Sequence, residues 1–375
     1  MFENYNFKKY DFLLVIFCMA ITTIGIIFIK SADESYVRHQ QEGFVMGLIL
    51  MVIVSFISYT FILKFYWLIY IASIALLIAV KLFGDSGGGA QRWFEIGGIR
   101  FQPSEMVKIL LILFYAAFIM KHKETLNTVR MILACVALII PPIYLIFKQP
   151  DLSTTIMIVA IFAVVMFIGG VSWKIIAGAV VIGVPSFVFA LRYLMRDDVH
   201  IIEDYHKGRI LAWLYPDEYA ISEAYQTLNA MTAIGSGQLS GKGINNNVVA
   251  SVKNGNFISA AHTDFIFAVI GEEMGFVGCC VVIGLLFMIA ILCILTARKA
   301  KDTAGQIIAG GMGGLIGIQT FINIGVVTGL LPNTGLTLPF VSYGLTSLVS
   351  LFVGIGFVIN VKLQSPETIY FEGEF

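Results

Sequence analysis

Asp264 stands where a polar, glycine- and asparagine-rich stretch gives way to a long apolar run, and six apolar residues follow it directly. Such a carboxylate marks the rim of a membrane, where partial desolvation raises its pKa toward the range useful to a general base. Glu272 and Glu273 come eight and nine residues later, roughly 12–13 Å further along a helix. They point to faces about 100° apart, so at most one shares a cavity with Asp264. Acids at this depth are costly and mark function by default. The bland alternative makes Asp264 an N-terminal helix acid with Thr263 as the cap. His262 has no second histidine at ligand spacing, so a metal role for it is weakly supported.

A second constellation lies between Ser86 and Lys108. Alternation through Arg92-Trp93-Phe94-Glu95-Ile96, the Gly97-Gly98 pair and Ile99-Arg100-Phe101 predicts a small hairpin on the membrane surface. Pro103 suits the first position of the next helix, with Glu105 in its first turn. Glu105 and Lys108 are three apart and can pair while entering the membrane. Trp93 also fits a plain interfacial anchor. Asp151, after Gln149-Pro150, reads as another helix-start acid. The Gly235–Gly243 stretch is not a Walker A loop, because Gly243 rather than Ser or Thr follows Lys242. Its amides could cradle a phosphate, or the stretch is a hinge.

The elements that must position these residues follow from composition. The 375 residues are 58% hydrophobic and 13% charged, with a mean hydropathy of +0.88. A soluble domain carries nearer a quarter charged. The expected fold is therefore all-α and polytopic, a single membrane domain over 1–375. About ten spans are expected, at 11–30, 43–62, 64–83, 104–120, 129–147, 152–171, 173–194, 264–297, 303–330 and 340–361. About eleven Lys and Arg at one set of span ends against about seven at the other place both termini in the cytoplasm. The unusual polar content then falls outside, including a long loop at about 195–262 between the seventh and eighth spans. Within it Ile221, Ala224, Tyr225, Leu228, Met231 and Thr232 predict an amphipathic interfacial helix. The 331–344 stretch, with two prolines, suits a re-entrant turn covered by protein. A cytoplasmic tail follows at about 362–375. Zero formal charge argues against nucleic acid. The five cysteines lie in apolar runs and show no disulfide or metal spacing.

Taken in order, several stretches resemble the RodA/FtsW (SEDS) family of membrane glycosyltransferases. They are Gly89-Ala-Gln-Arg-Trp93, Phe101-Gln-Pro-Ser-Glu105 with Lys108, and Gln149-Pro-Asp-Leu152. Then come Ala233-Ile-Gly-Ser-Gly237, Gly241-Lys-Gly243, Ala261-His-Thr-Asp-Phe-Ile-Phe267, Gly271-Glu-Glu273, Asn323-Ile-Gly325, Leu330-Leu-Pro332, Thr334-Gly335 and Leu338-Pro-Phe-Val-Ser-Tyr-Gly344. Ala233–Gly237 is similar to the elongation (RodA) branch. Two departures stand out: Ser259-Ala260 replaces the usual Pro-Glu, and Leu345 follows Gly344 where a small residue is usual.

The resemblance implies polymerisation of lipid II on the outer face of a bacterial cytoplasmic membrane, beside a class B penicillin-binding protein. It assigns the essential acid to Asp264 and the family's Arg, Glu and Lys to Arg92, Glu105 and Lys108; with these at the substrate the expected site also takes Lys242, and Trp93, His262, Thr263, Glu272, Glu273 and Ser342 in support. Joining two lipid-linked sugars needs one base for the acceptor hydroxyl. The departing pyrophosphate is already a stable anion, so cations replace the second acid of a glycosidase. Arg92 and Lys108 can supply that charge; a divalent cation, Mg or Mn, is the one cofactor candidate. A lipid II flippase would instead string polar groups through the midplane, and a pure scaffold would need no carboxylate at 264.

Overall fold

The computed structural model describes residues 5, 7–87, 90–96, 99–194, 204–244, 258 and 261–366. The Gly97-Gly98 pair, Gly89, the Ser259-Ala260 departure and the tail beyond 366 lie outside the described residues. The helices are α1 (Phe12–Ala32), α2 (Val37–Phe56), the single turn α3 (Tyr59–Ile62), α4 (Tyr66–Phe83), α5 (Pro103–Lys121), α6 (Val129–Phe147), α7 (Leu152–Ile168) and α8 (Trp173–Leu194). They continue with α9 (Asp204–Leu214), α10 (Tyr225–Ser236), α11 (Ile266–Arg298), α12 (Thr303–Val327) and α13 (Leu345–Leu363).

Each expected span meets a helix. Among the described residues eight stretches are long and apolar enough to cross a membrane; α7, at 17 residues, and the apolar Trp173–Gly183 part of α8 are shorter. The second span begins at Val37 rather than 43. Its first turns, Arg38 to Glu42, are too polar to read as membrane, yet Gln40 is buried there and bonds the backbone of Ser342 and Gly344.

Most of α5, α12 and α13 is buried, and the core is built on them. The outer helices turn large apolar side chains such as Phe12, Leu68, Phe83 and Phe287 outward, as lipid-facing helices do. Between α4 and α5 the chain forms an antiparallel sheet of β1 (Asp85–Gly87), β2 (Ala90–Ile96) and β3 (Ile99–Phe101), in that order. The expected hairpin is β2–β3, with Glu95 opposite Arg100. The extra strand escapes the alternation rule because Asp-Ser-Gly has no apolar face; Asp85 joins through its side chain, which accepts the Glu95 amide at 3.2 Å.

The amphipathic helix is shorter than expected, with Ile221 and Ala224 ahead of its first turn. α10 starts at Tyr225, and its small residues Ala230 and Ala233 are buried, whereas Ile221, Tyr225 and Met231 are exposed. Small residues allow a closer approach to α11 than large apolar ones would.

Candidate active site

Asp264 lies in a turn just ahead of α11, and three successive carbonyls there are held from other elements. The Tyr343 amide donates to His262 O at 2.9 Å. Ser342 Oγ donates to Thr263 O at 2.7 Å and itself accepts from the Leu338 amide. Asn323 Nδ2 of α12 donates to Asp264 O at 2.8 Å and to Leu336 O at 2.6 Å. Thr263 therefore contributes its carbonyl here, and no side chain caps α11, whose N-cap is Phe265. The 331–344 chain is irregular and largely buried, with Leu336, Leu338, Phe340 and Val341 inside. Backbone without regular structure survives at such depth only when other groups satisfy it, and Gln40, Gln319, Asn323 and Ser342 do so.

The Asp264 side chain is half-buried. Desolvation pushes its pKa up to about 6, against the pull of Arg209 on α9; Asp151 adds a smaller upward push. Among the described residues no hydrogen bond falls on its carboxylate. Gly335, at φ +76°, leaves room beside it: a Cβ there would lie 3.4 Å from Asp264 Oδ2 and 3.8 Å from Arg209 Nη1. Arg209 also donates to Asn333 O at 3.3 Å. Around this mouth Asn323 Oδ1, Asn333 Oδ1 and Thr334 Oγ1 are buried without a hydrogen-bond partner. Such atoms are expensive unless something polar visits them.

One turn along α12 from Asn323, Gln319 reaches the second constellation. Lys108 Nζ bonds Glu105 at 2.9 Å and Gln319 Oε1 at 3.1 Å, and both charged side chains are buried. Gln319 Nε2 goes on to Thr337 O at 2.9 Å. The expected Glu105–Lys108 pair thus exists, and Gln319 connects it to the chain that pins Asp264.

Arg92 is engaged with backbone carbonyls. Its guanidinium donates to Gln149 O at 2.8 Å and to Pro150 O. It fastens β2 to the turn before α7, where Asp151 caps the helix through Thr154 and accepts from Gln102 Nε2. Trp93 lies beside it on β2, opposite Asp85. Lys242 pairs with Glu272 at 2.8 Å, and Glu273 accepts from Ser31 of α1; both acids are buried along α11 rather than beside Asp264. His262 stacks on Tyr36 at 4.1 Å and meets the Tyr343 ring edge-on. Leu345 starts α13 and packs over Gly43.

Asp264, His262, Thr263 and Ser342 therefore come together, with Glu105 and Lys108 one residue removed. The sequence reading missed Arg209, Gln319 and Gln40, and noted Asn323 only within the Asn323-Ile-Gly325 stretch. Gln319 and Asn323 carried a usable signal, being amides four apart in an otherwise apolar span. Arg209 carried none, since its neighbours resemble any solvated loop. Among the described residues no three His, Cys, Asp or Glu gather to hold a metal ion, and both Asp151 oxygens are occupied by Thr154 and Gln102. The described residues by themselves do not form a ready-made metal centre.

These features define a polytopic membrane protein with a desolvated carboxylate beside an arginine at the start of α11. The family model for the FtsW, RodA and SpoVE cell cycle proteins matches residues 11–367, and the chain belongs to that family. It is similar to the peptidoglycan glycosyltransferase MrdB of Escherichia coli K12, 34% identical over 350 residues, covering 93% of this chain and 92% of that one. It is 32% identical to the probable peptidoglycan glycosyltransferase FtsW of Bacillus subtilis 168, with 95% and 91% covered. Among solved structures, a chain of a peptidoglycan synthase complex that coordinates polymerisation and crosslinking matches with TM-score 0.77 at 28% identity, covering 94% of this chain and 97% of that one. The rod shape determining protein RodA of Thermus thermophilus matches with TM-score 0.70 at 27% identity, covering 94% and 96%.

Proposed function

We propose that this protein is a peptidoglycan glycosyltransferase that polymerises lipid II, with Asp264 as the general base. The observation that carries the assignment of Asp264 is a carboxylate near pKa 6 beside Arg209, close to buried polar atoms of Asn323, Asn333 and Thr334 that have no hydrogen-bond partner. The acceptor hydroxyl oxygen attacks the donor's anomeric carbon, and its proton passes to Asp264. The bond from that carbon to the pyrophosphate oxygen breaks, its electron pair leaves with undecaprenyl pyrophosphate, and the centre inverts. Arg209 is the cation nearest the base and suits bidentate phosphate contact. Lys108 and Arg92 act from behind: Lys108 through Gln319, Arg92 through the 149–150 turn.

The charge bias supports cytoplasmic termini and a site on the outer face of the cytoplasmic membrane, where lipid II sugars are displayed. The likeness to a chain of a synthase complex supports a crosslinking partner, a class B penicillin-binding protein. The test is lipid II polymerisation by purified protein with and without that partner, comparing wild type with Asp264→Asn. Glycan from wild type alone supports the proposal. Equal glycan from both removes Asp264 from its role. No glycan from wild type with its partner present ends the enzyme reading and turns attention to lipid translocation in vesicles.

A further inference from the structure

This inference rests on the glycosyltransferase reading and concerns what holds its base in place. At 33 residues α11 would run about 50 Å if straight, well beyond the ~30 Å hydrocarbon core of a bilayer. It is broken at Gly275, where φ is +64° and ψ −160°. A continuous helix would pair the Phe276 and Val277 amides with the Glu272 and Glu273 carbonyls. Here the 237–243 strap takes over all four groups. Phe276 N donates to Gln238 O at 2.8 Å and Val277 N to Leu239 O at 3.2 Å. Lys242 N donates to Glu272 O and Gly243 N to Glu273 O, each at 3.0 Å.

Glycine is required on both sides of this splice. Gly241 sits at φ +78°, and a Cβ on it would lie 2.2 Å from Glu273 O; one on Gly275 would lie 2.4 Å from the Gly241 amide. Nearer the mouth, a Cβ on Gly237 would lie 1.9 Å from Gly271 O. The Lys242–Glu272 ion pair then closes the joint, with Glu272 buried and Lys242 29% exposed.

We infer that the 237–243 strap, locked by the Lys242–Glu272 pair, sets the position of the Ile266–Met274 half-helix and with it Asp264. Lys242 and Glu272 are thus positioning residues for the base, not ligands of lipid II. The half-helix is a short rigid rod: the strap fixes one end, and Asp264 precedes the other by two residues. The strap also continues directly from α10, and the same long segment carries Arg209 on α9. One clasp therefore keeps the base in register with its neighbouring cation.

The experiment measures polymerisation kinetics of the full chain with lipid II for wild type, Lys242→Gln, Lys242→Arg, Glu272→Gln and the Lys242→Gln/Glu272→Gln double variant. Asp264→Asn serves as the reference, and melting temperature as the check on folding. Positioning predicts that Lys242→Gln and Glu272→Gln each lower kcat about 10–100-fold, as a misplaced base does. KM for lipid II stays put, the double variant is no worse than either single one, and Lys242→Arg recovers most of the rate. The acid limb of kcat also moves to lower pH, because water reaching Asp264 relieves its desolvation, with Arg209 and Asp151 still facing it. A raised KM in Lys242→Gln with Glu272→Gln unaffected would make Lys242 a substrate ligand and overturn the inference. So would wild-type kcat in both single variants. Should Glu272→Gln fail to fold, the more exposed Lys242 decides the matter alone. Activity retained by Asp264→Asn would instead strike the base assignment itself.

Discussion

The two ends of the helix bundle treat polar groups in opposite ways. At the C-terminal end of α13, side chains mostly bond one another. Asn360 donates to Tyr5 Oη and Ser55 O and accepts from the Tyr59 amide and Gln364; Tyr59 donates to Asp302, and Lys362 pairs with Asp11. At the Asp264 end, Gln40, Gln319, Asn323 and Ser342 mostly bond backbone, and the desolvated carboxylate they surround accepts no hydrogen bond among the described residues and faces Arg209. A knot of mutual partners fastens helices together and has nothing to offer a ligand. Side chains that fix backbone leave a reactive group rigidly placed and open.

Four perturbations sharpen or break this contrast. The largest effect belongs to Asp264→Asn: polymerisation should fall about 10²–10⁴-fold, the usual worth of a general base, with no loss of melting temperature. Equal destabilisation would mean that Asp264 is structural, like the knot. Asn360→Leu should do the reverse. It strands buried partners, costing about 1–3 kcal/mol for each, visible as a lower midpoint in thermal unfolding, while turnover per folded molecule holds.

Arg209→Gln should weaken lipid II binding by about tenfold, as losing a charged hydrogen bond does. It should also displace the acid limb of the pH–rate profile. Asp264 works ionised, so the rate falls as pH drops through about 6. Arg209 holds that pKa down, so removing it moves the limb to higher pH. An unmoved limb would separate Arg209 from the base. Smallest is Arg92→Gln, which loosens the 149–150 turn at one remove; a few-fold fall in kcat is expected, with no shift of the acid limb.

The membrane helices were legible because an apolar run of about 20 residues has few alternatives. Asp264 was legible because one acid ahead of such a run breaks the pattern. The Glu105–Lys108 pair followed from helical spacing alone. Arg209 and Gln40 were not, since their partners lie far away in sequence; Gln319 and Asn323 showed only as amides four apart in an apolar span, and Ser342 only within the Leu338–Gly344 motif. Arg92 shows the limit from the other side. Its residue type suggested phosphate, but its reach to two carbonyls of the turn before α7 depends on how a small sheet folds over the bundle. α2 hid its first turns for a related reason: Gln40 looks like loop until the chain near Ser342 arrives to receive it.

The dependence of the 331–344 chain on Gln319 and Asn323 bears on the order in which the protein is made. Synthesis delivers N-terminal parts first, so Lys108 and Asp264 are already in place when α12 enters and its amides find them. The irregular chain emerges next, and Gly344 meets Gln40 only as α13 begins to insert. Competence therefore arrives with the final helix, and a nascent polypeptide stalled before it would have no finished chamber with which to consume precursor.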